Sequence, residues 1–403
     1  MRDHDIDRRS ILKFGITGLA GAIAPFRSRL YVAVQGAELP GEKSVALPKV
    51  QVLNERIIRT VAGLRPYRPS GFVVRADHTG GKVIVHNYGH GGCGVTLSWG
   101  TARLCVDLAL KTRFRQAAVL GCGAVGLATA RLLQDHGFSV TIYTQALPPD
   151  TTSNIAGALW GPVTLSDRDR RTPGFTDQFA RACRFAHRYF QTLVGDRYGV
   201  KWIALYYLGN APLGQSWEVT ITPELYPTTL IAQGTHPFNA PSVSRRYTML
   251  IEPNTYLPAV LADFCVRGGK IVVRTLENLA AILRLREALI VNCTGLGAKP
   301  LFNDEELVPI KGQLTVLAPQ PEVDYAFVST TSDLYMFPRG DGIILGGSHE
   351  EGEWSLEPSR AEGDRIFHGH QHIFSEMQGL KGSNGLHSAS GAKGIQTRNG
   401  NSS

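Results

Sequence analysis

None of the six cysteines of this 403-residue chain (Cys93, Cys105, Cys122, Cys183, Cys265, Cys293) forms a CxxC pair or has zinc-like spacing. A metal-stapled or dithiol framework is thereby excluded, and most of these thiols read as small core side chains. A block of basic residues is also missing. The formal net charge is +8, but Lys and Arg are scattered and not interleaved with aromatics, so the chain does not read as a nucleic-acid binder. Long apolar runs are absent too. Phe14–Phe26 is broken by Gly15, Gly18 and Gly21 and is too short for a stable membrane anchor. Hydrophobic content of 43% and charged content of 19% exclude a disordered chain. The length allows one large domain or two modest ones.

The N-terminus places Arg8 and Arg9 directly before that short apolar stretch. A charged head, a brief apolar run and an arginine pair predict a twin-arginine export signal over 1–37, cleaved near Ala37, with a periplasmic or other extracytoplasmic destination. At the other end, 381–403 holds five Gly, five Ser and no aromatic residue. Too little apolar surface is available there to offset ordering, so a disordered tail is expected.

Between these ends the pattern alternates strands and helices. Strands are expected at 56–61, 72–75, 83–86, 116–120, 139–143, 202–208, 217–221, 270–274, 289–292, 313–317 and 343–345. Helices are expected at 96–111, from the turn at 121–126 to about 135, at 177–194 and at 257–267. The prolines of GLRPYRP (63–69) impose extended or turn geometry.

Two glycine-rich stretches carry the chemistry. VLGCGAVG (119–126) follows an apolar strand and opens a helix. Gly121 permits a tight turn, Gly123 lets the backbone approach a pyrophosphate, and Gly126 lets helix and strand pack closely. Ala124 and Val125 begin the helix whose N–H groups and dipole would meet the phosphates. No carboxylate stands at the end of the following strand, in IYTQALPPD; Gln145 takes the place and can still bond a ribose hydroxyl, more weakly. In TTSNIAGALWGP (151–162), Thr151, Thr152 and Ser153 offer hydroxyls, Gly157 permits close approach and Leu159 supplies an apolar wall. The other stretch, HNYGHGGCG, puts four glycines into the nine residues from His86 to Gly94.

GCGAVGLATA, DTTSNIAGALWGP, IVNCTGLGA (290–298), GLRPYRP and HNYGHGG together resemble the D-amino-acid oxidase family of flavoproteins, over roughly residues 50 to 375. In that family GLRP and HNYGHGG lie near the C-terminus; here they precede the nucleotide turn, so the chain resembles a circular permutant. The turn at 112–115 would be the junction, and the new break would fall between the helix near 360–378 and Val50.

The resemblance implies an α/β (α+β) fold with a dinucleotide-type FAD domain (about 83–175 and 270–300). A mixed-sheet substrate domain (about 50–82, 176–269 and 301–380) would be interleaved with it. It implies FAD held by Gly121, Gly123, Ala124, Val125, Gly126, Gln145, Thr151, Thr152, Ser153, Gly157, Leu159 and Leu276, with Gly91, Gly92, Gly94, Val95 and Thr96 facing the flavin. It places the substrate carboxylate on Arg65 and Tyr335 and the substrate amine on the Gly92 carbonyl. No side-chain acid or base is implied, so His86 and His90 read as packed histidines. A second active-site tyrosine of the family is replaced by Thr331. The expected activity is oxidative deamination of D-amino acids with molecular oxygen. Alternatives are oxidation of D-aspartate, glycine or another small amine, and a non-catalytic flavin-binding protein. The twin-arginine export machinery is the expected partner, and a homodimer is compatible with the family. HGHQH (368–372) spreads its histidines over different helix faces, so no metal is expected.

Overall fold

The computed structural model describes residues 45–214 and 216–378. The signal read at 1–37 and the tail read at 381–403 lie outside the described residues. Strands run in chain order as β1 (Ile57–Tyr67), β2 (Val73–Thr79), β3 (Lys82–Tyr88), β4 (Gln116–Leu120), β5 (Ser139–Thr144), β6 (Val200–Gly209), β7 (Thr228–Ile231), β8 (Ser242–Ile251), β9 (Lys270–Val273), β10 (Leu289–Asn292), β11 (Val308–Leu317), β12 (Tyr325–Ser329), β13 (Leu334–Arg339), β14 (Gly342–Gly346) and β15 (Glu350–Glu351). Helices are α1 (Gly94–Ala109), α2 (Ala124–Asp135), α3 (Thr152–Ile155), α4 (Pro173–Gln191), α5 (Trp217–Ile221), α6 (Pro253–Val266), α7 (Leu279–Leu283), α8 (Ala298–Phe302) and α9 (Arg360–Glu376).

One sheet has the order β2-β3-β10-β4-β5-β9. All its pairs are parallel except β2–β3, a hairpin turning at Gly80-Gly81. β10 is entirely buried, as is β4 after its first residue, because both faces are covered. Val119, Val140 and Ile142 pack under α1 and α2, and Ala118, Leu120 and Ile290 pack under α7. α1 crosses α4 so closely that a Cβ at Gly100 would overlap the Ala182 backbone.

The second sheet runs β1-β11-β14-β13-β12-β6-β8-β7, with β15 beside β11. One face packs on α9 through Phe327, Met336, Leu345, Ile366 and Phe374. The opposite face carries Leu205, Leu250, Phe337 and Ile344, and the site is built there. β1 lies at the sheet edge with only β11 as partner, so Pro66 removes no needed hydrogen bond.

One expectation is corrected. Residues 217–221 form a helix, not a strand. Trp217 and Ile221, one turn apart, both pack on the larger core, and Trp217 lies against Phe179 at 4.6 Å and under the Arg171 guanidinium at 4.3 Å. Residues 73–82 pair with or enter β3 of the parallel sheet. α4 and α6 pack on α1 and α2 through Phe179, Ala182, Val260 and Phe264. Tertiary burial decided these placements, which local periodicity does not report.

The two ends of the described chain meet. Val45 N donates to Thr235 O at 2.9 Å, and Gln378 N donates to Pro237 O at 2.8 Å. The Tyr325 hydroxyl bonds both Pro48 O (2.8 Å) and Met377 Sδ (3.9 Å).

Candidate active site

The carboxyl ends of β4, β5, β9 and β10 form one edge of the parallel sheet, where dinucleotides bind in such folds. Gly121 leaves β4 at φ +103°, and a Cβ there would stand 2.6 Å from Cys293 O, just past the end of β10. A Cβ at Gly126 would overlap Gly121 O. Both positions therefore require glycine. α2 begins without a side-chain cap, so Val125 and Gly126 present first-turn N–H groups lacking intrahelical acceptors. The Ala124 N–H donates to Ser153 Oγ at 3.0 Å, which holds the start of α3 against the start of α2. Thr151 Oγ1 bonds Asn154 Oδ1 at 2.7 Å. Thr152 and Gln145 are exposed at the same edge. Leu276 follows β9, and its side chain packs under α7. A narrow glycine turn, an uncapped helix start and neighbouring hydroxyls fit the pyrophosphate of FAD.

The second glycine-rich stretch meets the same 151–164 segment further along. The Gly92 N–H donates to Thr164 O at 3.2 Å. Gly91 has φ +54° and has no room for a Cβ beside Thr164 O. α1 starts at Gly94 with no side-chain cap, and beside a Cβ position at Gly94 there is open space within 4 Å. Val95 and Thr96 complete that first turn, and Thr96 Oγ1 is 3.3 Å from both N and O of Gly161. His86 lies 3.1 Å from Asn292 Nδ2 and 3.1 Å from an Asp77 carboxylate oxygen, and His90 is 3.0 Å from Thr101 Oγ1. Both are buried, and burial holds both imidazoles below their ordinary range.

Between these two anchor points the segment passes over the second sheet, where a Cβ at Gly157 would stand 3.0 Å from the Phe337 ring and 3.6 Å from the Tyr335 ring. Leu159 packs on the buried cluster that includes Leu205, Leu250, Phe337 and Ile344. Arg339 Nη1 donates to Ala156 O at 2.9 Å while its Nε and Nη2 grip Asp341 at 2.7 and 2.5 Å, which pins the segment to β13. Ala158 has φ +58°, a strained value for a residue with a Cβ.

Here the structure brings Arg65 and Tyr335 together. The Arg65 side chain crosses β11 over Gly312, and the Tyr335 ring crosses β14 over Gly346; any Cβ at either glycine would overlap these groups. The two meet, close enough for the guanidinium to act on the phenol. Burial raises the phenol's pKa, and Arg65 opposes the rise. Arg65 Nη1 also donates to Ser348 O at 3.1 Å. His349 stands beside them on Asp333 (3.1 Å), its imidazole held below its ordinary range first by burial and then by Arg65. Arg68, in contrast, is engaged by Asp304 at 3.0 Å and Glu306 at 2.6 Å. Gly312, Gly346, Phe337, Arg339 and His349 were not singled out from sequence, because their roles depend on which strands are neighbours.

A family model described as FAD dependent oxidoreductase (DAO) matches residues 44–108 and 116–398. A D-amino acid oxidase of Dugesia ryukyuensis is 25% identical over 273 residues, covering 65% of this chain and 78% of the relative. A D-amino-acid oxidase of Streptomyces coelicolor is 29% identical over 249 residues (60% and 72%). A D-aspartate oxidase of Homo sapiens is 29% identical over 264 residues (62% and 72%). Among solved structures, a glycine oxidase from Geobacillus kaustophilus covers 66% of this chain and 80% of its own, with 15% identity and a TM-score of 0.48. The chain belongs to the DAO family of FAD-dependent oxidoreductases, and it is an oxidase whose cofactor is FAD.

Proposed function

We propose that this oxidase deaminates D-amino acids, yielding a 2-oxo acid, ammonia and hydrogen peroxide from the amino acid, water and oxygen. One observation carries the reading. Arg65 and Tyr335 come together beneath Gly157, on a segment whose two ends touch the dinucleotide turn (Ser153–Ala124) and the α1 start (Gly161–Thr96). Bound FAD supplies the two-electron acceptor. The chain's own groups bind and orient. A guanidinium fork and a phenol hydroxyl receive a planar carboxylate. The Gly92 carbonyl receives the substrate amine. Leu159 and Phe337 wall off water beside the reacting carbon. His86 and His90 are already engaged away from the Arg65–Tyr335 pair, so positioning supplies the acceleration. The test is anaerobic mixing of flavin-loaded protein with a panel of D- and L-amino acids. Bleaching of the flavin bands with D-enantiomers alone, and peroxide on readmitting air, is the expected result; no bleaching across the D-panel refutes it.

The chain order is part of the same proposal. The family match falls into two stretches separated by 109–115, the connection from α1 to β4. Together with the meeting of residues 45 and 378 on the 235–237 loop, this supports a circular permutation. Arg8 and Arg9 support export by the twin-arginine route.

A further inference from the structure

A cleft of about 570 Å³ opens where the β2–β3 hairpin meets the end of α1. It lies at the edge of the parallel sheet opposite the dinucleotide turn, beside the first residues of β3 and β4. A cleft of this size takes one small molecule. Ala76, Val83, Leu108 and Phe114 give it apolar walls. His78 pairs with Val83 and Ala76 with Val85, which puts both β2 residues on the face that packs on α1.

The charge on these walls is of one sign. Lys111 and Arg113 line the cleft and no carboxylate does. The neighbouring acids are engaged elsewhere, Asp107 with Arg103 and Arg181, Asp77 with Arg75 and His86. Among the described residues neither Lys111 nor Arg113 has an ion-pair partner. Lys82 borders the cleft too, but its ammonium is held by Leu285 O and Glu287 O at 2.5 and 2.6 Å. The turn that carries the two free cations is fixed. The Thr112 N–H and hydroxyl both donate to Ala109 O, at 3.0 and 2.8 Å. Arg115 Nη1 donates to Thr112 O at 2.9 Å and to Phe114 O at 2.7 Å. A cation in the last turn of a helix complements its dipole, which accounts for Lys111. Arg113 lies beyond that turn, with its guanidinium 5.6 Å from the Phe114 ring centre. These residues are this chain's own: the family match runs over 44–108 and 116–398 and leaves out Lys111, Arg113 and Phe114. The connection from α1 to β4 therefore completes the cleft.

We infer that this cleft binds one anionic amphiphile, a single alkyl or acyl chain whose tail covers Val83, Leu108 and Phe114 and whose anionic head meets Lys111 and Arg113. Neither the flavin nor the Arg65–Tyr335 pair takes part, so the inference stands apart from the oxidase reading. The experiment titrates the flavin-loaded protein calorimetrically with octyl sulfate, ethyl sulfate and octyltrimethylammonium, each below its micellar concentration. Octyl sulfate is expected to bind one per chain, at least about fiftyfold more tightly than ethyl sulfate, since three buried methylenes contribute about fourfold each. It is expected to bind at least about tenfold more tightly than octyltrimethylammonium, as charge-assisted hydrogen bonds imply. The advantage over the cationic probe disappears in the Lys111→Gln/Arg113→Gln double variant and persists in Arg65→Ala. No binding of octyl sulfate, equal binding of either control probe, or an advantage that survives K111Q/R113Q overturns the inference. Loss of the advantage in R65A also overturns it, by placing the probe on the substrate arginine. So does sedimentation with phosphatidylglycerol vesicles without binding of monomeric octyl sulfate, which would assign the cations to a membrane surface. Should the double variant not fold, the three probes on the native protein and on R65A still decide.

Discussion

Arg65 is useful to a carboxylate because Gly312 keeps its path clear, as Gly346 does for the Tyr335 ring. Replacing Arg65 with Ala removes a bidentate partner and is expected to raise KM for a D-amino acid by about 10²- to 10³-fold, the cost of charge-assisted bonds, with flavin content unchanged; steady-state peroxide assays and absorbance ratios measure both. Gly312→Ala touches no substrate, yet its Cβ would occupy the space of the guanidinium. It is expected to raise KM by at least about tenfold, in the same direction as R65A. A G312A enzyme with native KM would show that Arg65 does not lie in that trench when substrate binds. Neither glycine stands out in the sequence. Gly312 in VPIKGQLTVL reads as a weak point in a strand, because its value lies in a side chain arriving from 247 residues earlier in the chain.

At the scale of elements, the parallel sheet was more legible than the mixed one, of which β1, β6, β11 and β14 were expected at least in part and β7, β8, β12 and β13 were not. β4 and β10 are buried on both faces, so they appear as unbroken apolar runs with the expected bounds. The turn at 121–126 announces itself by spacing. β8 was missed because its exposed and half-buried positions carry Arg245, Arg246 and Tyr247, which mask alternation. Gly126→Ala tests the turn: its Cβ meets rigid backbone at Gly121, so the protein is expected to purify with its flavin content lowered about tenfold or more, read from the ratio of visible to 280 nm absorbance. pH tests two elements at once. His370, within α9, has Nδ1 2.7 Å from Ile366 O and Nε2 3.0 Å from Tyr335 O, and burial holds its imidazole down to about 4. His90, before α1, is held down to about 3. An unfolded histidine ionises near 6.5. Both folded values are depressed, so this stability is fully present above about 6.5 and is lost as pH falls toward 4, by up to about 1.4 kcal/mol per pH unit for each. Calorimetric Tm is expected to fall across that window, and His90→Gln to flatten the fall; a Tm independent of pH between 6.5 and 4.5 contradicts the assignment.

For the whole molecule, the meeting of residues 45 and 378 makes the described chain nearly a ring. Linking those two positions and opening the chain within 112–115 is expected to give a folded, flavin-retaining protein with peroxide output within about tenfold of the parent, since ends that lie close at the surface tolerate such rearrangement. Loss of flavin in that variant would argue that the present order is needed for folding. Which helices cover which sheet was decided by packing that no local pattern reports.

The joined ends also set a timetable during synthesis. Residues 45–52 emerge early, yet their resting places are Thr235, Gln320, Tyr325 and α9. β1 must wait for β11, some 250 residues later. Residues 45–52 therefore stay undocked until almost the last described helix is complete, and every nascent chain carries an unpaired strand edge through most of its elongation.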